Sequence, residues 1–61
     1  MGKIKQILIL LIETVETYYE VNNNFNNIDI YIKEKYSDFY DFYLCNKQFI
    51  IETVEEIKTK N

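Results

Sequence analysis

The sequence predicts an all-α protein, a helical hairpin of two long amphipathic helices, and three observations predict it. Apolar residues recur at helical spacing on both sides of one polar stretch. The chain has no Pro and a single Gly to interrupt a helix. Its only cluster of turn-forming residues is VNNNFNN, Val21 to Asn27.

In the first half, Ile4, Leu8, Leu11, Val15 and Tyr18 step by four and three, with Ile7, Ile12 and Tyr19 on the flanks of the same stripe. Glu13, Glu16 and Glu20 fall opposite, which predicts an amphipathic helix over residues 3–21. QILILLI also has the β-branched content of a strand, but the helical stripe it joins is longer. The turn follows at 22–27, because Asn is a weak helix former that tolerates the left-handed conformation.

Asn27 is the expected N-cap of the second helix, with Asp29 in the first turn, where a carboxylate suits the helix dipole. The stripe then runs Ile28, Ile32, Tyr36, Phe39 and Tyr43 and resumes in phase at Ile50, Val54 and Ile57. An unbroken phase predicts one helix over 28–59; a break near Asn46, which sits close to the apolar arc and can cap, would give three helices instead. Glu34, Asp38, Asp41, Glu52, Glu55 and Glu56 gather on the far side. The pentapeptide IETVE occurs in both halves, at 12–16 and 51–55, with Ile and Val on the buried stripe each time. One amphipathic solution reached twice in a restricted alphabet accounts for the repeat.

A chain of 61 residues forms one domain, 1–61, with a small core. Additional burial is therefore expected from self-association, with two hairpins pairing into a four-helix dimer. Neither a disulfide within the chain nor a Cys/His zinc site is available, since Cys45 is the only cysteine and His is absent. The same absences leave Ser37 and Cys45 without a base, and one Gly cannot build a phosphate loop. The expectation is a protein that is not an enzyme and takes no cofactor or metal.

A net charge of −3, a pI near 4.7 and no Arg argue against direct binding to nucleic acid and favour a partner with a basic surface. The apolar run ILILLI is too short to span a bilayer, and no signal-type cleavage site follows it, so a cytoplasmic, reduced protein is expected, without a membrane partner. The dominance of Ile, Asn, Lys, Tyr and Phe is that of AT-rich codons and points to a low-GC bacterium or a phage or plasmid within one.

Phe42, with Tyr31 and Phe49, falls on a second apolar ridge, rotated by about 100° from the main stripe. Ile9 and Leu10 likewise point away from the stripe of the first helix. Isolated apolar side chains on a surface are ordinary; large aromatics beside acidic residues have the composition of an interface. The expected partner-binding residues are Tyr31, Asp38, Asp41, Phe42 and Phe49. The function these features suggest is a small acidic protein-interaction module, in its sharpest form an anti-CRISPR-like inhibitor, carried by a phage or mobile element, that covers the basic channel of a host nucleic-acid-handling machine. The alternative is a structural homo-oligomer or assembly subunit, or an antitoxin or immunity-type protein, with the second ridge as self-interface.

Overall fold

The computed structural model describes residues 2–60; Met1 and Asn61, at the bounds of the expected domain, lie outside the described residues. Helix α1 spans Gly2–Asn22, α2 spans Ile28–Lys35, a 3-10 turn covers Ser37–Phe39, and α3 spans Tyr40–Lys60. The described residues contain no strand, so QILILLI, with its strand-like composition, is helical. The all-α class holds, and two long amphipathic helices pack on each other as the periodicity requires.

The asparagines do the work expected of the first turn. Asn23 takes a left-handed conformation (φ 60°) and its N–H reaches the Tyr19 carbonyl at 2.7 Å, closing α1. The Asn22 side chain donates to the Tyr18 carbonyl at 3.0 Å, and Asn24 Oδ1 accepts from the Asn26 N–H at 2.9 Å. Asn27 does occupy the N-cap position of α2, but by a different mechanism from the one expected: it is left-handed (φ 64°) and its side chain makes no capping bond. Tolerance of positive φ, rather than side-chain capping, is what the position demands.

The second half of the chain is not one helix from 28 to 59. It breaks at Tyr36 (φ −134°, ψ 61°), ten positions before the expected site at Asn46. Asn46 instead lies within α3, its side-chain amide donating to the Phe42 carbonyl at 2.9 Å. The Tyr36 N–H still reaches the Ile32 carbonyl at 2.7 Å, and the Phe39 N–H reaches the Tyr36 carbonyl at 2.9 Å, so the corner is tight and hydrogen-bonded. Ser37 and Asp38, which compete with helical bonding through their side chains, occupy it. A straight helix over 28–59 would be roughly 48 Å long, against a longest molecular dimension of 31 Å. Folding back at Tyr36 lets both of its halves cover α1.

The break also sets helix direction. Lys58, near the end of α3, bonds Glu16 and Glu20 in the last turns of α1, while Phe39, just before α3, lines a groove with Lys3, Gln6, Ile7 and Leu10. Helices α1 and α3 therefore run side by side in the same direction. The short α2 makes the return pass, its Tyr31 against Tyr18 and its Asp29 against Tyr43 and Lys47.

Leu11 and Val15 from α1, Ile28 and Ile32 from α2, and Tyr43, Ile50 and Val54 from α3 form the buried core. All seven belong to the predicted stripes, and each fully buried aliphatic side chain contributes about 1.5–3 kcal/mol. Tyr36 and Phe39, on the same stripe in sequence, are only half-buried because the corner takes them out of helical phase.

The two IETVE segments share one environment. Val15 and Val54 are fully buried and Ile12 and Ile51 half-buried. The Thr14 hydroxyl donates to the Leu10 carbonyl at 2.8 Å, and the Thr53 hydroxyl to the Phe49 carbonyl at 2.7 Å. They diverge at two letters: Thr14 is buried and Thr53 half-buried, and Glu16 is half-buried beside Lys58, whereas Glu55 is exposed.

Candidate protein interface

The outer face of α3 starts from helix periodicity. With Tyr43, Ile50 and Val54 turned inward, residues stepping three and four from Phe42 occupy another face: Phe42, Cys45, Phe49, Glu52 and Glu56, with Asp38 in the 3-10 turn just before α3. Phe42 is half-buried and packs its ring against the core; Cys45 is exposed. Phe49 is 56% exposed. Asp38, Asp41, Glu52 and Glu56 are exposed around this stripe. Lys47, the one lysine between Asp38 and Glu56, is engaged elsewhere, 2.8 Å from Asp29.

Tyr31 has a different setting. Its ring centroid lies 5.0 Å from that of Tyr18, and Lys35 sits over it with the ammonium 5.6 Å from the centroid and 3.4 Å from the hydroxyl. It serves as a packing link between α2 and α1. The register that aligned Tyr31 with Phe42 and Phe49 holds only for a continuous helix, and the corner at Tyr36 removes it. Leu10 is half-buried between the helices, and Ile9 is exposed.

A polar network on the inner side of α3 escaped the sequence reading. The buried Tyr43 hydroxyl donates to Asp29 Oδ1 at 2.7 Å, and Lys47 Nζ donates to Oδ2 at 2.8 Å. The Lys47 hydrogen bond, helped by Tyr43, holds the Asp29 carboxyl below its ordinary range. Burial, and then the Asp29 carboxylate, push the Tyr43 hydroxyl well above the usual phenol value. The available signal was a tyrosine on the core stripe, since a buried phenol needs a partner for its O–H.

Parallel packing also gathers charge. Glu13, Glu16 and Glu20 lie in the second half of α1 and Glu52, Glu55 and Glu56 in the second half of α3, so six carboxylates share one half of the molecule. Lys58 and Lys60 partly offset them through pairs with Glu16, Glu20 and Glu56. Glu20, and secondarily Glu16, raise the pKa of the Lys58 ammonium.

Among the described residues, no group of carboxylates and thiols converges to hold a metal ion, and no helix is long and apolar enough to cross a membrane. The concavities beside Asp29 and beside Leu10, about 380 Å³ each, are open to solvent. Comparison of the chain with protein-family models, with curated proteins and with solved structures found no match.

Proposed function

We propose that the protein is a small acidic binding module that acts by occupying a basic surface of another protein through the outer face of α3. The observation that carries this reading is Phe49, a large exposed aromatic within a face that bears Asp38, Asp41, Glu52 and Glu56. An aromatic at the centre contributes desolvated contact area, while surrounding carboxylates accelerate encounter with a positively charged partner. The six glutamates shared by α1 and α3 extend the negative field beyond this face. In its concrete form the partner is a nucleic-acid-handling protein, and the carboxylates compete with phosphate for its basic channel. Of the residues expected from the sequence to contact a partner, Asp41, Phe42 and Phe49 belong to this face, Asp38 lies in the turn that precedes it, and Tyr31 acts on it only by holding α2 in place.

A photo-cross-linking side chain at Phe49, compared with the same probe at the exposed Val21 of α1, tests the reading in cells of the source organism. The expected result is one dominant protein adduct from position 49 that is weaker from position 21. Reversal of Asp38 and Asp41 to Lys should slow association with that protein and flatten its salt dependence, and Phe49→Ala should speed dissociation. Equal labelling from both positions, or binding indifferent to the charge reversal at low salt, would remove the proposal.

A further inference from the structure

The apolar stripe Ile28, Ile32, Tyr36, Phe39 and Tyr43 keeps helical phase through the corner between α2 and α3, and no Pro or Gly stands there. The departure from helix is concentrated at one residue. Tyr36 has φ −134° and ψ 61°, yet its N–H still reaches the Ile32 carbonyl four positions back. On its other side Ser37–Phe39 form a 3-10 turn, whose dihedrals lie close to the α values, and Tyr40 follows at φ −61°, ψ −44°. A rotation centred on Tyr36 therefore joins α2 and α3 into one helix from Ile28 to Lys60, about 50 Å long. Only tertiary contacts hold the corner closed: the seven core side chains, Tyr43 and Lys47 on Asp29, and Lys58 on Glu16 and Glu20.

We propose that this corner is a hinge, and that on straightening, α3 of one chain takes the place of α3 in a second copy, giving a two-fold dimer with exchanged helices. Direction selects this arrangement. In the folded chain α1 and α3 run the same way and α2 runs back, so a straightened α3 is antiparallel to its own α1. A two-fold axis perpendicular to the helices reverses the second copy, whose α3 then runs parallel to the first copy's α1. That is the packing already present within one chain. Leu11 and Val15 again meet Ile50 and Val54, now from the second copy, and Asp29 meets Tyr43 and Lys47 of that copy. Tyr43 lies 14 residues and Lys47 18 residues from Asp29. Along a straight helix those separations are roughly 21 and 27 Å, so the bonds close only between copies. Every buried contact is reused and no new surface is required, which makes exchange of an identical element a low-cost route to a dimer. The outer face of α3, with Phe49, stays outward in both forms, so the hinge stands independently of the binding role proposed above.

Refolding of the full chain from denaturant at millimolar concentration, followed by sedimentation velocity at low salt, tests the hinge. The wild type should give a dimer beside the monomer. Ser37→Pro should give monomer alone, with unchanged helix content by circular dichroism, because Pro fits the first position of the turn at the corner but not the interior of a continuous helix. Ser37→Ala together with Asp38→Ala, which favours helix through the corner, should increase the dimer fraction. Exchange itself is read by co-refolding the Lys58→Glu chain with the Glu20→Lys chain, both of which remain net negative. Within either chain the pair at positions 20 and 58 is then like-charged, whereas a mixed exchanged dimer restores opposite charges at both ends. Mixed dimers should exceed their statistical share and lose that excess at high salt. A wild type that stays monomeric would overturn the proposal, as would a Ser37→Pro dimer or mixed dimers at no more than the statistical share. Loss of α3-face binding to a foreign protein leaves these outcomes untouched, so the two proposals fail separately.

Discussion

The apolar stripe of α1 meets two different fates along its length. Around its middle, Leu11 and Val15 are sealed in a dry core with Ile50 and Val54, and Lys58 closes the far end on Glu16 and Glu20. At its start, Ile4 has the same periodic position and the same chemistry but remains open to solvent. Periodicity thus specifies which face is apolar, but how far each residue of that face is buried depends on which side chains of the neighbouring helices reach it.

Truncation should expose the difference most strongly. Leu11→Ala or Ile50→Ala, each emptying part of the sealed region, should cost about 2–5 kcal/mol by denaturant unfolding. Ile4→Ala, measured where the chain is monomeric, should stay within about 0.5 kcal/mol. Comparable losses at Ile4 and Leu11 would mean that the open end is covered in the monomer.

The next effect concerns the turn that aims α2 at the sealed region. Asn27→Val forces a β-branched residue into a left-handed conformation and should cost about 1–2 kcal/mol, whereas Asn27→Gly should cost nothing. Equal losses from both would show that the Asn27 side chain, not its backbone, matters.

A smaller contribution comes from the network joining α2 to α3. Tyr43→Phe removes one hydrogen bond to a carboxylate and should cost roughly 1 kcal/mol at neutral pH. The pH dependence follows from the directions of the two shifts. Asp29 is depressed in the folded state, so its contribution is present above about pH 4 and is lost as pH falls through the folded value. Tyr43 is raised, so its contribution is full below about pH 10 and is lost as pH rises further. Thermal melts against pH should show both limbs in the wild type. In Tyr43→Phe the alkaline limb should shrink most, and an unchanged alkaline limb would disconnect Tyr43 from it.

The smallest stability change is expected at Phe49. Its replacement by Ala should move stability by no more than about 0.5 kcal/mol, with Phe42→Ala costing more because that ring rests on the core. A large loss at Phe49 would mark the outer face of α3 as structural.

Much of this was legible in the residues themselves. The seven core side chains and the Asn-rich turn follow from helical spacing and from the backbone tolerance of Asn, which are local properties. The corner at Tyr36 was not legible, since Ile28, Ile32, Tyr36, Phe39 and Tyr43 keep helical phase straight through it and nothing at that point is Pro or Gly. The bend lets α2 and α3 share one core with α1, a long-range gain that no local window contains. The candidate face was legible in part. Phe42 and Phe49 share α3 and so kept their relation, while Tyr31, on the other side of the corner, lost its own.

Parallel packing of the first and last helices has a consequence for the order of events in folding. Leu11 and Ile50, like Val15 and Val54, are thirty-nine positions apart in sequence, so the central contacts close a loop of more than half the chain. Helical proteins generally fold quickly because their contacts are local, and α1, α2 and their Asn turn can form on that timescale. The seal between α1 and α3 must wait for a long-range encounter, and during synthesis it must wait for α3 to emerge. Until then the stripe of α1 has only the eight residues of α2 to shelter it, and protection of its amides from hydrogen exchange should arise last and together with that of α3.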